Sequence, residues 1–298
     1  VKENARSDDL SGGLCLINSE RIKTVPLTTV GKIGFIGGGN MAEAFIKGLM
    51  NGGFPAADIL FFEPNENRRQ LVEERYGVVC EANNSALVTQ SDIVVLATKP
   101  QILDKVLEDI VSVFNDKKLL ISILAGITTT TLEAGLAGKP HVVRAMPNTP
   151  ALVGHGAAAL CPGKYINQED RRVAQHLFET VGIALWVEEG QMDAVTGLSG
   201  SGPAFVFTFI EAMAAGGVQE GLRLDVAHAL AVQTVLGAAR LVQETGEHPA
   251  LLREKVCSPA GTTISAIRVL EERGLRATMM DAVGAATKRS RELGKEVK

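Results

Sequence analysis

Along residues 32–188, short apolar runs rich in β-branched residues alternate with segments whose apolar positions recur every three to four residues. These two periods separate strands from helices. The runs 33–36, 58–63, 78–81, 92–98, 119–124, 141–145, 156–161 and 184–187 predict strands, and 168–180 predicts a helix between the last two. Such alternation predicts a mostly parallel sheet covered by helices. Beyond residue 189 the pattern changes to Ala-, Leu- and Val-rich helical periodicity over 200–220, 224–244, 249–255, 262–273 and 276–293. Helices this apolar must bury more than one face. Packing against a second copy satisfies them more easily than one compact helical core within a monomer. The expected division is a flexible extension at 1–30, an α/β domain at 31–188 and an all-α domain at 189–298.

The first strand runs directly into Gly37-Gly38-Gly39-Asn40-Met41-Ala42, and Met41, Ala44, Phe45 and Leu49 then keep helical spacing until Gly52-Gly53. A glycine turn between strand and helix lets the backbone take positive φ and lets a ligand approach closely, while the free helix N–H groups and dipole face an anion. Gly37-x-Gly39-x-x-Ala42 is the dinucleotide form of that turn, in which Ala still permits close packing of helix on strand. An ordinary tight strand–helix turn is the alternative. With the strand–helix context, the fold class is a doubly wound sheet of Rossmann type followed by a helical domain. Glu63, at the end of the second strand, stands where an acidic residue accepts hydrogen bonds from a ribose and favours NAD(H). Arg68 and Arg69 follow and could meet a 2′-phosphate, although a solvated helix face is the more ordinary reading. NADP(H) and NAD(H) both stay open.

Composition changes this picture little. The chain has 298 residues, 46% of them hydrophobic, and a net charge of −4. No basic run suggests a nucleic-acid surface. The four cysteines are scattered without metal spacing, which predicts reduced thiols in a cytoplasmic protein and no metal site. No apolar run reaches the roughly 18 residues that span a bilayer; the longest, 204–215, carries Glu211. The reading is a protein without a membrane segment, and 1–30 lacks the pattern of a secretory signal.

Other candidates lie at strand ends and helix starts. Ala97-Thr98-Lys99-Pro100 ends the fourth strand, with Pro100 placed to start a helix; Lys99 is either a ligand contact or simply exposed. Ile123-Leu124-Ala125-Gly126 ends the fifth. In Arg144-Ala145-Met146-Pro147-Asn148-Thr149-Pro150, two prolines make a stiff loop that is either a wall beside a ligand or a rigid turn. Ser199-Gly200-Ser201-Gly202-Pro203 lacks the preceding strand that a nucleophile elbow needs and reads as a helix start. Cys257-Ser258-Pro259-Ala260-Gly261-Thr262-Thr263-Ile264 is a tight turn before a helix. It either holds a carboxylate on its N–H groups or merely caps the helix through a threonine.

Together with Asp193-Ala194-Val195-Thr196-Gly197-Leu198, these segments closely resemble the pyrroline-5-carboxylate reductases over about residues 31–293. The resemblance implies reduction of 1-pyrroline-5-carboxylate to L-proline by NAD(P)H, the last step of proline biosynthesis. It also implies a helical domain that dimerises through interlocked C-terminal helices, often in rings of dimers, with sites drawn from both subunits. By that resemblance Ile36, Gly37, Gly38, Gly39, Asn40 and Met41 hold the pyrophosphate. Asn84, Ala97, Thr98, Lys99 and Pro100 lie on the ribose and nicotinamide side, and Ile123, Leu124 and Ala125 at the nicotinamide. Gly261, Thr262 and Thr263 bind substrate, with the Thr263 hydroxyl on the ring nitrogen as the catalytic contact, and Glu189 matches a position near the substrate.

Two departures stand out. Glu63 replaces the small hydroxyl residue common in members that use NADPH, and Ala260 replaces the first glycine of a Ser-Pro-Gly-Gly turn, which predicts φ < 0 there. None of the five histidines sits in a motif that demands acid–base work, which suits an imine. The competing readings are a reductase of another imine or of a β-hydroxy acid, and a dinucleotide sensor without turnover. The β-hydroxy acid version needs a lysine in the long helix at 200–220, which has none.

Overall fold

A computed structural model describes residues 30–296; the extension read at 1–30 lies outside them except for its last residue. Residues 30–205 with 279–296 form one compact unit and Val206–Thr278 the other, so the division between these units falls inside two helices.

The first unit is built on an eight-stranded sheet in the order β3-β2-β1-β4-β5-β6-β7-β8. The strands are β1 (Ile33–Ile36), β2 (Ile59–Phe62), β3 (Val79–Cys80), β4 (Ile93–Leu96), β5 (Leu119–Ser122), β6 (His141–Met146), β7 (Gly156–Pro162) and β8 (Gly182–Trp186). All eight runs read as strands from the sequence are strands. β1 to β6 pair in parallel, whereas β7 runs antiparallel to β6 and parallel to β8. The reversal follows from the connection, because only the short loop and helical turn Thr149–Val153 separate β6 from β7, too little chain for a crossover helix.

Helices α1 (Asn40–Asn51), α2 (Glu66–Tyr76), α3 (Asn84–Gln90), α4 (Leu103–Ile110), α5 (Thr129–Ala134) and α6 (Gln168–Glu179) cover the sheet. Strand alternation divides the core. Phe35, Phe61, Val95, Ile121 and Val143 pack with Phe45 of α1 and Phe178 of α6, whose rings meet edge to face at 4.8 Å. Ile36, Leu60, Val94, Leu96, Leu120 and Val142 pack with α3, α4 and α5 on the other side.

After β8, α7 (Met192–Val195) passes through a π-helical turn, Thr196–Gly200, into α8 (Gly202–Gln219). The turn is pinned from two sides. Asn148 Nδ2 donates to the Ser199 carbonyl at 3.0 Å while its Oδ1 accepts from Ala157 N–H at 2.8 Å. A Cβ on Gly197 would stand 2.2 Å from the Thr287 hydroxyl oxygen. The Pro147–Pro150 loop is therefore a rigid clamp. Its Asn148 is spent on backbone groups, and the Ser199 hydroxyl donates to the Val195 carbonyl with no strand before it.

The second unit contains the rest of α8, α9 (Leu224–Thr245), α10 (Pro249–Val256), α11 (Thr262–Glu272) and the start of α12 (Leu275–Glu296). Among the described residues, only Ala214, Ala227 and Ala231, with Ile210, make a buried apolar cluster there. Phe207, Leu224, Leu230 and Val256 are each more than half exposed, so single-chain packing leaves the apolar faces of these helices uncovered. The stretch Glu189–Gln219 is long and apolar enough to cross a bilayer by length and composition. The stretch is longer than the 204–215 run seen in the sequence because the helix continues through the π turn.

Candidate active site and family

Parallel pairing brings the carboxyl ends of β1, β2, β4 and β5 to one edge, and hydrogen bonds lock their successors side by side. Gly37 N–H donates to the Phe62 carbonyl (2.9 Å), Ala97 N–H to Ile36 (2.9 Å) and Ile123 N–H to Leu96 (3.1 Å). Ile36, Gly37, Glu63, Ala97, Thr98 and Ile123 thus lie side by side at the carboxyl ends of the strands, the usual ligand position in an open α/β sheet. Gly37 has φ +102°, and a Cβ on it would stand 2.6 Å from the Ala97 carbonyl oxygen; only glycine fits. A Cβ on Gly39 would meet nothing within 4 Å, and Gly39 caps α1 without a side-chain hydrogen bond, which leaves the helix start facing open space beside Asn40 and Met41.

Among the described residues, the buried Thr98 hydroxyl and Asn84 Oδ1 have no hydrogen-bond partner; Asn84 Nδ2 donates to Asp109 (2.9 Å). Open helix start, glycine cradle and orphaned polar atoms fit a dinucleotide. Leu124 and Ile36 point their side chains into the core and offer only backbone, whereas Ala125 and Lys99 are exposed and Pro100 begins a short helical turn.

Glu63 is fixed by two backbone donors, Gly38 N–H to Oε2 and Asn65 N–H to Oε1, each at 2.9 Å. Arg68 is not the solvated residue that the sequence suggested. Its Nε donates to the Gly38 carbonyl at 2.5 Å, and its Nη2 pairs with Glu43 of α1 at 2.5 Å. Glu43 also accepts from Arg75 (2.5 Å) and Tyr76 (2.9 Å). Burial would raise its pKa, but these donors, Arg68 foremost, hold it below the ordinary carboxylate value. Arg69 stays on its own helix, paired with Glu66 and Glu73.

Glu189 has partners far away in sequence. Its Oε2 accepts from the Thr129 N–H (3.0 Å) and hydroxyl (2.7 Å) at the start of α5, and its Oε1 pairs with Arg144 of β6. Burial pushes the Glu189 pKa up, yet the Thr129 hydrogen bonds and the Arg144 charge outweigh it and leave the carboxyl below its usual value. Cys161 lies at 3.7 Å from the same carboxylate. Burial first, then that negative charge, pushes its thiol up to about 12. Sequence reasoning placed Glu189 beside the substrate and assigned Arg144 nothing. The available signal was a single cation within an otherwise apolar strand.

In the helical unit, Gly261 caps α11 without a side-chain hydrogen bond. The threonine-capping alternative is therefore not what forms, since Thr262 and Thr263 are the first helical residues. The turn before them closes with Gly261 N–H on the Ser258 carbonyl at 3.0 Å. Ala260 has φ +56°, contrary to the expectation of a negative value: Ala stands in the left-handed region that favours glycine and accepts the strain.

Residues 32–126 match the family model for coenzyme F420-dependent NADP oxidoreductases. With the glycine cradle on a doubly wound sheet, this defines a dinucleotide-dependent oxidoreductase. Residues 189–293 match the pyrroline-5-carboxylate reductase dimerisation model. The chain is 46% identical over 266 residues to the pyrroline-5-carboxylate reductase of Methanosarcina acetivorans, covering 89% of this chain and 98% of that one. Its fold matches the solved reductase from Coxiella burnetii (TM-score 0.85, 38% identity, 89% and 98% covered). It also matches the Plasmodium falciparum pyrroline carboxylate reductase with NADP bound (TM-score 0.79, 32% identity, 88% and 98% covered). The chain belongs to the pyrroline-5-carboxylate reductase family, and its helical half carries the family's dimerisation segment.

Proposed function

We propose that this chain reduces 1-pyrroline-5-carboxylate to L-proline with NAD(P)H, closing proline biosynthesis. The observation that carries the proposal is the length of the match: 46% identity extends over 266 residues, 89% of the chain, and the family's dimerisation model takes in the Thr262-Thr263 turn. The bound dinucleotide supplies a hydride. In the turn from Ile36 to Met41, Gly37 and Gly38 N–H are held by Phe62 and Glu63, so the N–H groups of Gly39, Asn40 and Met41 at the start of α1 receive the pyrophosphate, with Asn84 and Thr98 offering their unpaired polar atoms to the ribose and nicotinamide side. Gly261, Thr262 and Thr263 take the substrate carboxylate on the open start of α11, and the Thr263 hydroxyl holds the ring nitrogen. Positioning supplies most of the rate, since a protonated imine is already electrophilic.

Glu189 acts as a positioning residue, its carboxylate occupied by Thr129 and Arg144. The uncovered apolar helices support a homodimer with interlocked C-terminal helices, and rings of such dimers. On this reading the apolar stretch Glu189–Gln219 is interface rather than membrane span. The unpaired thiols Cys80, Cys161 and Cys257 support a cytoplasmic setting.

The test mixes purified protein with 1-pyrroline-5-carboxylate and NADH or NADPH and follows reduced-nicotinamide absorbance. Substrate-dependent loss with proline formation is expected; no oxidation of either cofactor overturns the proposal.

A further inference from the structure

We infer that this enzyme selects NADH over NADPH, and that the selection is made by Glu63 together with Glu43, which holds Arg68 away from the cofactor. The inference rests on reading the β1–β2 edge as the dinucleotide site.

Glu63 cannot swing aside cheaply. Its two oxygens are held by different backbone N–H groups, Gly38 on one side and Asn65 on the other. Its Cβ and Cγ lie so close to Gly38 that a Cβ added there would stand at 3.0 Å and 3.3 Å from them. The carboxylate therefore presents a fixed negative charge at the glycine turn. Ribose hydroxyls donate to such a group, whereas a 2′-phosphate brings a second anion against it, and like charges at close quarters discriminate strongly.

A site of this kind can still accept NADPH when an arginine nearby neutralises the phosphate. Arg68 is the one placed to do so, in the first turn of α2, and two partners hold it. Its Nε is spent on the Gly38 carbonyl and its Nη2 on Glu43. Glu43 is itself clamped by Arg75 and Tyr76, so it is an anchor with little freedom to release the guanidinium. The Gly38 peptide is gripped from both ends, a carboxylate on its N–H and a guanidinium on its carbonyl. A swing of Arg68 toward a phosphate would break the second grip as well as the ion pair.

The test is equilibrium binding of each reduced cofactor to the intact protein, read by nicotinamide fluorescence, with thermal melting to confirm that each variant is folded. The wild type is expected to bind NADH at least about tenfold more tightly than NADPH. Glu63→Gln keeps an acceptor for Gly38 N–H and removes the charge, and should narrow that ratio by about tenfold. Adding Glu43→Gln should narrow it further, because Arg68 is freed. Should the second variant fail to fold, Glu63→Gln alone decides. Equal or tighter NADPH binding by the wild type, or a ratio unmoved by Glu63→Gln, overturns the inference and leaves the reductase reading standing. Binding of neither cofactor overturns both.

Discussion

Replacing Glu189 by Ala tests whether this carboxylate holds the protein together or touches substrate. The change deletes two charge-assisted hydrogen bonds from Thr129 and leaves the Arg144 guanidinium, only 6% exposed, without its anion. Removing one partner of a buried pair costs about 3–5 kcal/mol. Glu189 itself is 34% exposed, so water recovers part of that, and about 3 kcal/mol is expected once screening is allowed for. For a unit of this size that lowers Tm by roughly 6–12 °C. Replacing both Glu189 and Arg144 by Met should restore most of the loss, because no unpaired charge remains. Melting of the three variants at one protein concentration, beside steady-state kinetics, reads the outcome. A Glu189→Ala protein that melts like wild type and shows only a raised KM would refute the positioning role and return Glu189 to the substrate.

Three further outcomes follow. Thr263→Ala should lower kcat/KM by about 10²-fold, on the scale of losing one positioned transition-state hydrogen bond, while NADH affinity stays unchanged; an unchanged kcat/KM removes Thr263 from the site. Gly37→Ala should abolish dinucleotide binding in titrations, since its Cβ would lie 2.6 Å from the Ala97 carbonyl oxygen at positive φ. In acid, Glu189 stabilises the fold fully above the ordinary carboxylate value of 4.5, and the contribution disappears as pH falls through its lower folded pKa. The Tm difference between wild type and Glu189→Gln should therefore shrink below about pH 4; a difference constant with pH would contradict the assignment.

Local patterns carried most of the fold. Strands β1 to β8 were legible because each is a short apolar run bounded by turn residues, and α1 and α6 because their apolar positions keep a helical period. The reversal of β7 was not, since pairing direction depends on where a chain returns in space. The glycine turn was legible for the same local reason: strand, turn and helix start are contiguous in sequence. Glu63 was recognisable by position, but its hold on Gly38 and the capture of Arg68 by Glu43 depend on side chains from β2, α2 and α1 meeting across the sheet edge. The Glu189–Thr129–Arg144 network likewise joins three separate elements. A residue type alone cannot show which of several carboxylates receives an arginine.

Ala260 shows how a local rule can fail for a physical reason. Glycine is usual at positive φ because a Cβ there costs about 1–2 kcal/mol, and that rule led to an expectation of negative φ. The turn instead keeps φ +56° because its geometry is set by neighbours. Pro259 fixes its own φ, the Gly261 N–H closes on Ser258, and α11 must begin at Thr262. Moving Ala260 to negative φ would break that closure and misplace the first N–H groups of α11, at the cost of a backbone hydrogen bond and of the proposed carboxylate cradle. Ala260→Gly should then relieve the strain and raise stability by about 1 kcal/mol, less whatever the greater freedom of the unfolded chain takes back, with kcat/KM unchanged. A stability loss with lowered kcat/KM would mean that the alanine methyl itself holds the turn in place.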